Sequence, residues 1–101
     1  MHPSRLIAAV ALAAALPVAA HASQELATSK NCMACHSVDK KLVGPAFKDI
    51  AAKYKTDKAA PAQLSQSIVK GSSGKWGPIP MPPNPVSEAD AGTLAKWVLS
   101  L

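Results

Sequence analysis

The chain has 101 residues, 11 of them basic and 6 acidic, and carries a formal charge of +5 at pH 7. It holds one Phe, one Tyr and two Trp, few large apolar side chains from which to build a protein-only core. The length admits one domain, and lysines scattered without a dense, aromatic-interleaved basic block argue against a nucleic-acid partner.

Residues 1–22 read as an export leader. A short basic start precedes an unbroken apolar run over 6–16, Pro17 ends the run, and Ala20-His21-Ala22 supplies small residues for cleavage after Ala22. A membrane span needs about 20 apolar residues, so an uncleaved anchor is the weaker reading. Cleavage leaves one domain, residues 23–101. Arg5 leaves with the leader, so ten basic and six acidic side chains remain, a formal +4. Such a charge either steers a partner or simply solvates the surface.

A short helix is expected over 24–31, leading into Cys32. A second is expected over 46–54, where Phe47, Ile50, Ala51 and Tyr54 recur on one helical face. Pro61 opens a third as a first-turn proline, Gly71 closes it, and Leu64, Ser67 and Ile68 face inward. Residues 72–86 hold five prolines and two glycines, which rules out a regular helix or a central strand. Ser87 then caps a last helix with Asp90 at its third position, and Ala91, Leu94, Ala95, Val98 and Leu101 form its apolar stripe. No segment has a strand period. The expected class is all-α, about four short helices with one long ordered loop.

Cys32-Met33-Ala34-Cys35-His36 is a C-x-x-C-H motif, the pattern of a covalent haem attachment. Two thiols at this spacing add across the two vinyl groups of one porphyrin edge, and the next residue, His36, is delivered to the iron as proximal ligand. Three other readings compete. A disulfide between Cys32 and Cys35 closes a tiny loop and stabilises little. A thiol–disulfide oxidoreductase places C-x-x-C beside a βαβ pattern. Zinc needs four ligands, and 23–101 offers only Cys32, Cys35 and His36 of the usual soft kinds.

Haem iron bound by His36 has one axial position left. Met1 leaves with the leader, Met33 is fixed between the cysteines, no second histidine exists in 23–101, and a lysine would have to lose its proton. Met81 remains. It is a buried filler or a ligand, and its setting favours the ligand, because Pro80, Pro82 and Pro83 restrict the backbone before anything binds. Met/His ligation raises the haem potential and leaves no open position for oxygen, peroxide or substrate. No acid–base pair or nucleophile constellation is visible. These residues favour a one-electron carrier, not an enzyme. A haem enzyme or gas sensor with a displaceable sixth ligand predicts ready binding of small ligands, and a subunit of a larger haem complex predicts stable co-purification.

His36 needs an acceptor for its second ring nitrogen, and the Pro45 carbonyl is the candidate. The Trp76 indole N–H points to a haem propionate, or Trp76 simply packs. Asn84 is a turn residue, or its amide orients the Met81 sulfur.

The attachment motif, together with Val43-Gly44-Pro45-Ala46-Phe47-Lys48-Asp49-Ile50-Ala51-Ala52-Lys53, Trp76-Gly77-Pro78-Ile79-Pro80-Met81-Pro82-Pro83-Asn84 and Thr93-Leu94-Ala95-Lys96-Trp97-Val98-Leu99, closely resembles the bacterial cytochrome c-551 (cytochrome c8) family. The likeness covers nearly all of 24–101. It implies a class I cytochrome c fold around one covalent haem c, with His36 and Met81 as axial ligands and Cys32 and Cys35 as thioethers. It further implies Pro45 as the partner of His36, Trp76 near a propionate and Asn84 near the Met81 sulfur. It implies a soluble, monomeric periplasmic carrier in a respiratory chain. Such a carrier is loaded by a donor such as a membrane cytochrome complex and unloaded by an acceptor such as a nitrite reductase or terminal oxidase. One position departs from the family pattern: Ser67 stands where some relatives place a basic side chain near a propionate, so that propionate is less strongly paired here.

Overall fold

A computed structural model of the chain describes residues 18–101; residues 1–17, most of the expected leader, lie outside the described region. The described residues form four α-helices, α1 (Val18–Ser29), α2 (Phe47–Tyr54), α3 (Ala60–Lys70) and α4 (Glu88–Leu99), with a 3₁₀ turn over Cys32–Ala34. Among them there is no strand, only the isolated antiparallel bridges His36–Lys41 and Ser72–Met81. The all-α expectation holds.

Each helix ends for a local reason. The first expected helix ran to residue 31, but α1 stops at Ser29. Asn31 takes up φ 62°, ψ 18°, a left-handed turn that Asn tolerates better than most residues. At the start of α2 no side chain caps the helix. The Phe47 and Lys48 N–H groups donate instead to the carbonyls of Ser37 (2.9 Å) and Val38 (3.1 Å). Two of the four orphan amides are thereby satisfied by the segment that follows His36. Helix α3 begins at Ala60, one residue before Pro61, and closes at Gly71 with φ 85°.

In α4 the Ser87 Oγ accepts a hydrogen bond from the Asp90 N–H at 3.1 Å, with Glu88 and Asp90 in the first turn. Replacing Ser87 by alanine is expected to lower stability by about 0.5–2 kcal/mol, the ordinary worth of such a cap. The midpoint of a denaturant titration measures it, and an unchanged midpoint would show that the cap contributes nothing.

Helix α4 is the hub and packs on α1, α2 and α3. The core joins Ala27 of α1, Phe47 and Ile50 of α2, and Leu94, Trp97 and Val98 of α4. Half-buried Leu26, Met33, Tyr54, Leu64 and Ile68 pack against it. The expected stripe on α4 was too narrow: Trp97 is also buried, and Leu101, expected within the stripe, is only half-buried. A helix touching three neighbours buries more than one face.

Candidate functional site

The 3₁₀ turn sets the two cysteines. The Cys35 and His36 N–H groups both donate to the Cys32 carbonyl, at 3.2 and 3.0 Å. Side chains three apart eclipse one another in a 3₁₀ turn, so Cys32 and Cys35 share a side, and both line the same cleft. Both thiols are free. Burial pushes the Cys32 thiol pKa up, nearby Cys35 adds to this, and a backbone hydrogen bond opposes it. A dithiol oxidoreductase places its C-x-x-C beside a βαβ unit, and among the described residues there is no strand.

His36 is buried and fixed from several sides. Its Nδ1 lies 2.7 Å from the Pro45 carbonyl oxygen. A ring N–H donating there leaves Nε2 with its lone pair free, the arrangement a metal-bound histidine needs. Phe47 stacks on the imidazole at a centroid distance of 4.8 Å and 22° between planes. The Gly44 N–H donates to the Cys35 carbonyl at 2.8 Å. A methyl group placed on Gly44 would stand 2.6 Å from His36 Cε1, so only glycine fits.

Across the cleft, residues 72–86 form an arm, closed at its base by paired hydrogen bonds. The Ser72 N–H donates to the Met81 carbonyl (3.0 Å) and the Met81 N–H to the Ser72 carbonyl (2.7 Å). Asn84, which the resemblance places near the Met81 sulfur, donates its amide to the carbonyls of Ile68 (3.0 Å) and Pro82 (3.3 Å), and its backbone N–H donates to Ile68 at 3.1 Å. Two amide protons serve two carbonyls, so the side chain ties the arm to the end of α3.

Cys32, Cys35, His36, Pro45, Ser67, Trp76, Met81 and Asn84 all line one cleft, which encloses about 1260 Å³ including its open mouth. Its walls are largely apolar, with Phe47, Ile50, Leu64, Ile68, Ala95 and Val98 among them. Leu64 and Ile68 are only half-buried by protein; a flat apolar ring would cover such surface. At the mouth, Trp76 meets Tyr54 edge-on at 6.4 Å, and Lys53 Nζ lies 4.7 Å from the Trp76 ring centroid and 5.3 Å from that of Tyr54. The Lys53 contact, the Phe47 stack and the tight fit at Gly44 were not foreseen from sequence. For Gly44 the signal was its place beside Pro45; for Lys53 there was none.

These residues fit a haem. Two free thiols stand on one turn, a histidine has one ring nitrogen engaged and one available, and a methionine on a braced arm shares their apolar cleft. Zinc finds less: among the described residues no three His, Cys, Asp or Glu side chains are grouped to hold a metal ion.

Comparison with known proteins gives the same direction. A family model described as cytochrome c matches residues 20–101. Cytochrome c-551 of Pseudomonas aeruginosa is 51% identical, with 99% of this chain and 98% of the relative covered. Cytochrome c-551 of Pseudomonas denitrificans is 59% identical over 77% of this chain and 95% of its own. The crystal structure of wild-type Nitrosomonas europaea cytochrome c552 superposes with a TM-score of 0.76 at 57% identity, covering 77% of this chain and 98% of that one.

Proposed function

The chain belongs to the cytochrome c family, of the bacterial c-551 kind, and from this we propose that it is a soluble periplasmic one-electron carrier whose haem is held by Cys32, Cys35, His36 and Met81. The family's cofactor is one covalently bound haem c, which supplies an iron that cycles between ferrous and ferric states. The gathering of those four side chains in one apolar cleft carries the proposal.

Each residue has a part. Cys32 and Cys35 form the thioethers. His36 binds the iron through Nε2 while Pro45 holds Nδ1–H and so fixes the tautomer. Met81 would offer the same iron its thioether sulfur, a soft ligand that favours the reduced state. Trp76 reaches a propionate with its indole N–H, and Lys53 on its ring keeps it at the mouth. Asn84 acts on Met81 by securing the arm. Ser67, half-buried on the cleft wall, offers that propionate a hydroxyl in place of a charge.

The leader ending at Ala22 is removed on export, and the mature protein works as a monomer. Among the described residues no helix is long and apolar enough to cross a membrane. Exposed Val43, Trp76 and Ile79 stand on the cleft's lining and give a small apolar contact for brief redox encounters. The lysines speed the approach. The donor is of the membrane cytochrome type, the acceptor a nitrite reductase or terminal oxidase.

The test is the visible spectrum of the reduced protein before and after carbon monoxide. The unmutated protein should keep its low-spin spectrum, and Met81→Ala should shift promptly and show a lower potential. A prompt shift in the unmutated protein would instead make it a gas-binding enzyme or sensor.

A further inference from the structure

Met81 sits on an arm that α3 holds by hydrogen bonds, none of which involves the iron. The last carbonyls of a helix lack partners within it. Here the Ile68 carbonyl accepts from both the backbone N–H and the side-chain amide of Asn84, at 3.1 and 3.0 Å. Between these anchor points lies Gly71. Its φ of 85° and ψ of 171° fall in a region that only glycine enters freely. A methyl group there would stand 2.7 Å from the Met81 carbonyl oxygen and 3.1 Å from Pro83 Cδ. The chain therefore needs a residue without a side chain at 71 for two independent reasons, conformation and contact. The contact is with Met81 itself.

We infer that Gly71, with the Ser72–Met81 hydrogen-bond pair, is a latch that positions Met81, so that the strength of the sixth ligand is set at the end of α3. The inference rests on Met81 being that ligand. A side chain at 71 pushes the Met81 carbonyl away and strains the pair at Ser72. Neither effect touches His36 or the cysteines. Gly74 provides the comparison within the same arm. Its φ is also positive, 77°, yet a methyl group there meets nothing within 4 Å. A substitution at 74 carries backbone strain but no contact with Met81.

The experiment is cyanide titration of the oxidised, haem-loaded protein, comparing the unmutated chain with Gly71→Ala, Gly74→Ala and Met81→Ala. Gly71→Ala should raise cyanide affinity by about ten- to hundredfold, because the clash with Met81 is relieved when Met81 leaves the iron and strain of that order reads so on the affinity scale. Gly74→Ala should leave it within about twofold, because its added methyl group has no neighbour on the Met81 side. Equal effects at 71 and 74, or none at 71, would overturn the latch. Met81→Ala separates the two readings: if it leaves cyanide affinity unchanged, the ligand assignment fails, not the latch alone. A second measurement needs no variant. Amide exchange at Ser72 and Met81 should stay slow when cyanide occupies the iron of the unmutated protein. Loss of that protection on cyanide binding would show that the iron holds the arm, and would overturn the proposal.

Discussion

Phe47→Ala is expected to destabilise the domain by about 3–5 kcal/mol, the usual cost of emptying a buried aromatic site. Small domains have only about 5–15 kcal/mol in total. Phe47 is 5% exposed, stacks on His36 at 4.8 Å and meets Trp97 edge-on at 5.3 Å. It thus joins α2, α4 and the histidine. Its removal leaves a void beside the imidazole as well as in the core, so a weaker hold on the His36 side should accompany the loss of stability. Phe47→Leu keeps much of the apolar volume and should cost less. Denaturant midpoints of the haem-loaded proteins at constant slope decide the matter. A loss below about 1 kcal/mol for the alanine variant would mean the site collapses around the deletion.

Gly44→Ala should act by the opposite route, adding a group where none fits. Overpacking costs about 1–3 kcal/mol in a well-packed site. Here the neighbour that would have to yield is His36, whose Cε1 would be 2.6 Å away. The ring has little freedom, since Pro45 holds Nδ1 and Phe47 covers a face. The expected result is a lower yield of haem-loaded protein and a lower unfolding midpoint. Gly92 on α4 is the comparison: nothing lies within 4 Å of a methyl group there. Gly92→Ala should therefore be neutral or stabilising by up to about 1 kcal/mol, because alanine favours a helix. If Gly44→Ala matched Gly92→Ala in yield and midpoint, the close approach to His36 would have no consequence.

The site was legible in sequence where its signal is short-range. Pro45 is only nine positions from His36, and the C-x-x-C-H residues and the prolines that brace Met81 lie within a few residues of their partners. So do the Ser87 cap and the Gly71 stop, which follow from helix-end chemistry. Contacts between distant segments were not legible. The stack of Phe47 on His36 and the pairing of Ser72 with Met81 depend on how helices dock. The same holds for the Asn84 amide. Its residue type was noted, but its partner is the α3 carbonyl of Ile68, set by tertiary placement. Trp97 escaped the apolar stripe of α4 because a helix embraced on several sides has no single face to read. Lys53 was one lysine among many until Tyr54 and Trp76 came beneath it.

The central place of α4 bears on when the protein can fold. Leu94, Trp97 and Val98 belong to the 12-residue helix α4, yet they share one core cluster with Ala27 of α1. Closing contacts so far apart in sequence is slow and unrewarded until both ends are present. A chain without α4 lacks Leu94, Trp97 and Val98, three of the six buried residues of the core cluster, so α1 and α2 have little to condense on until α4 docks.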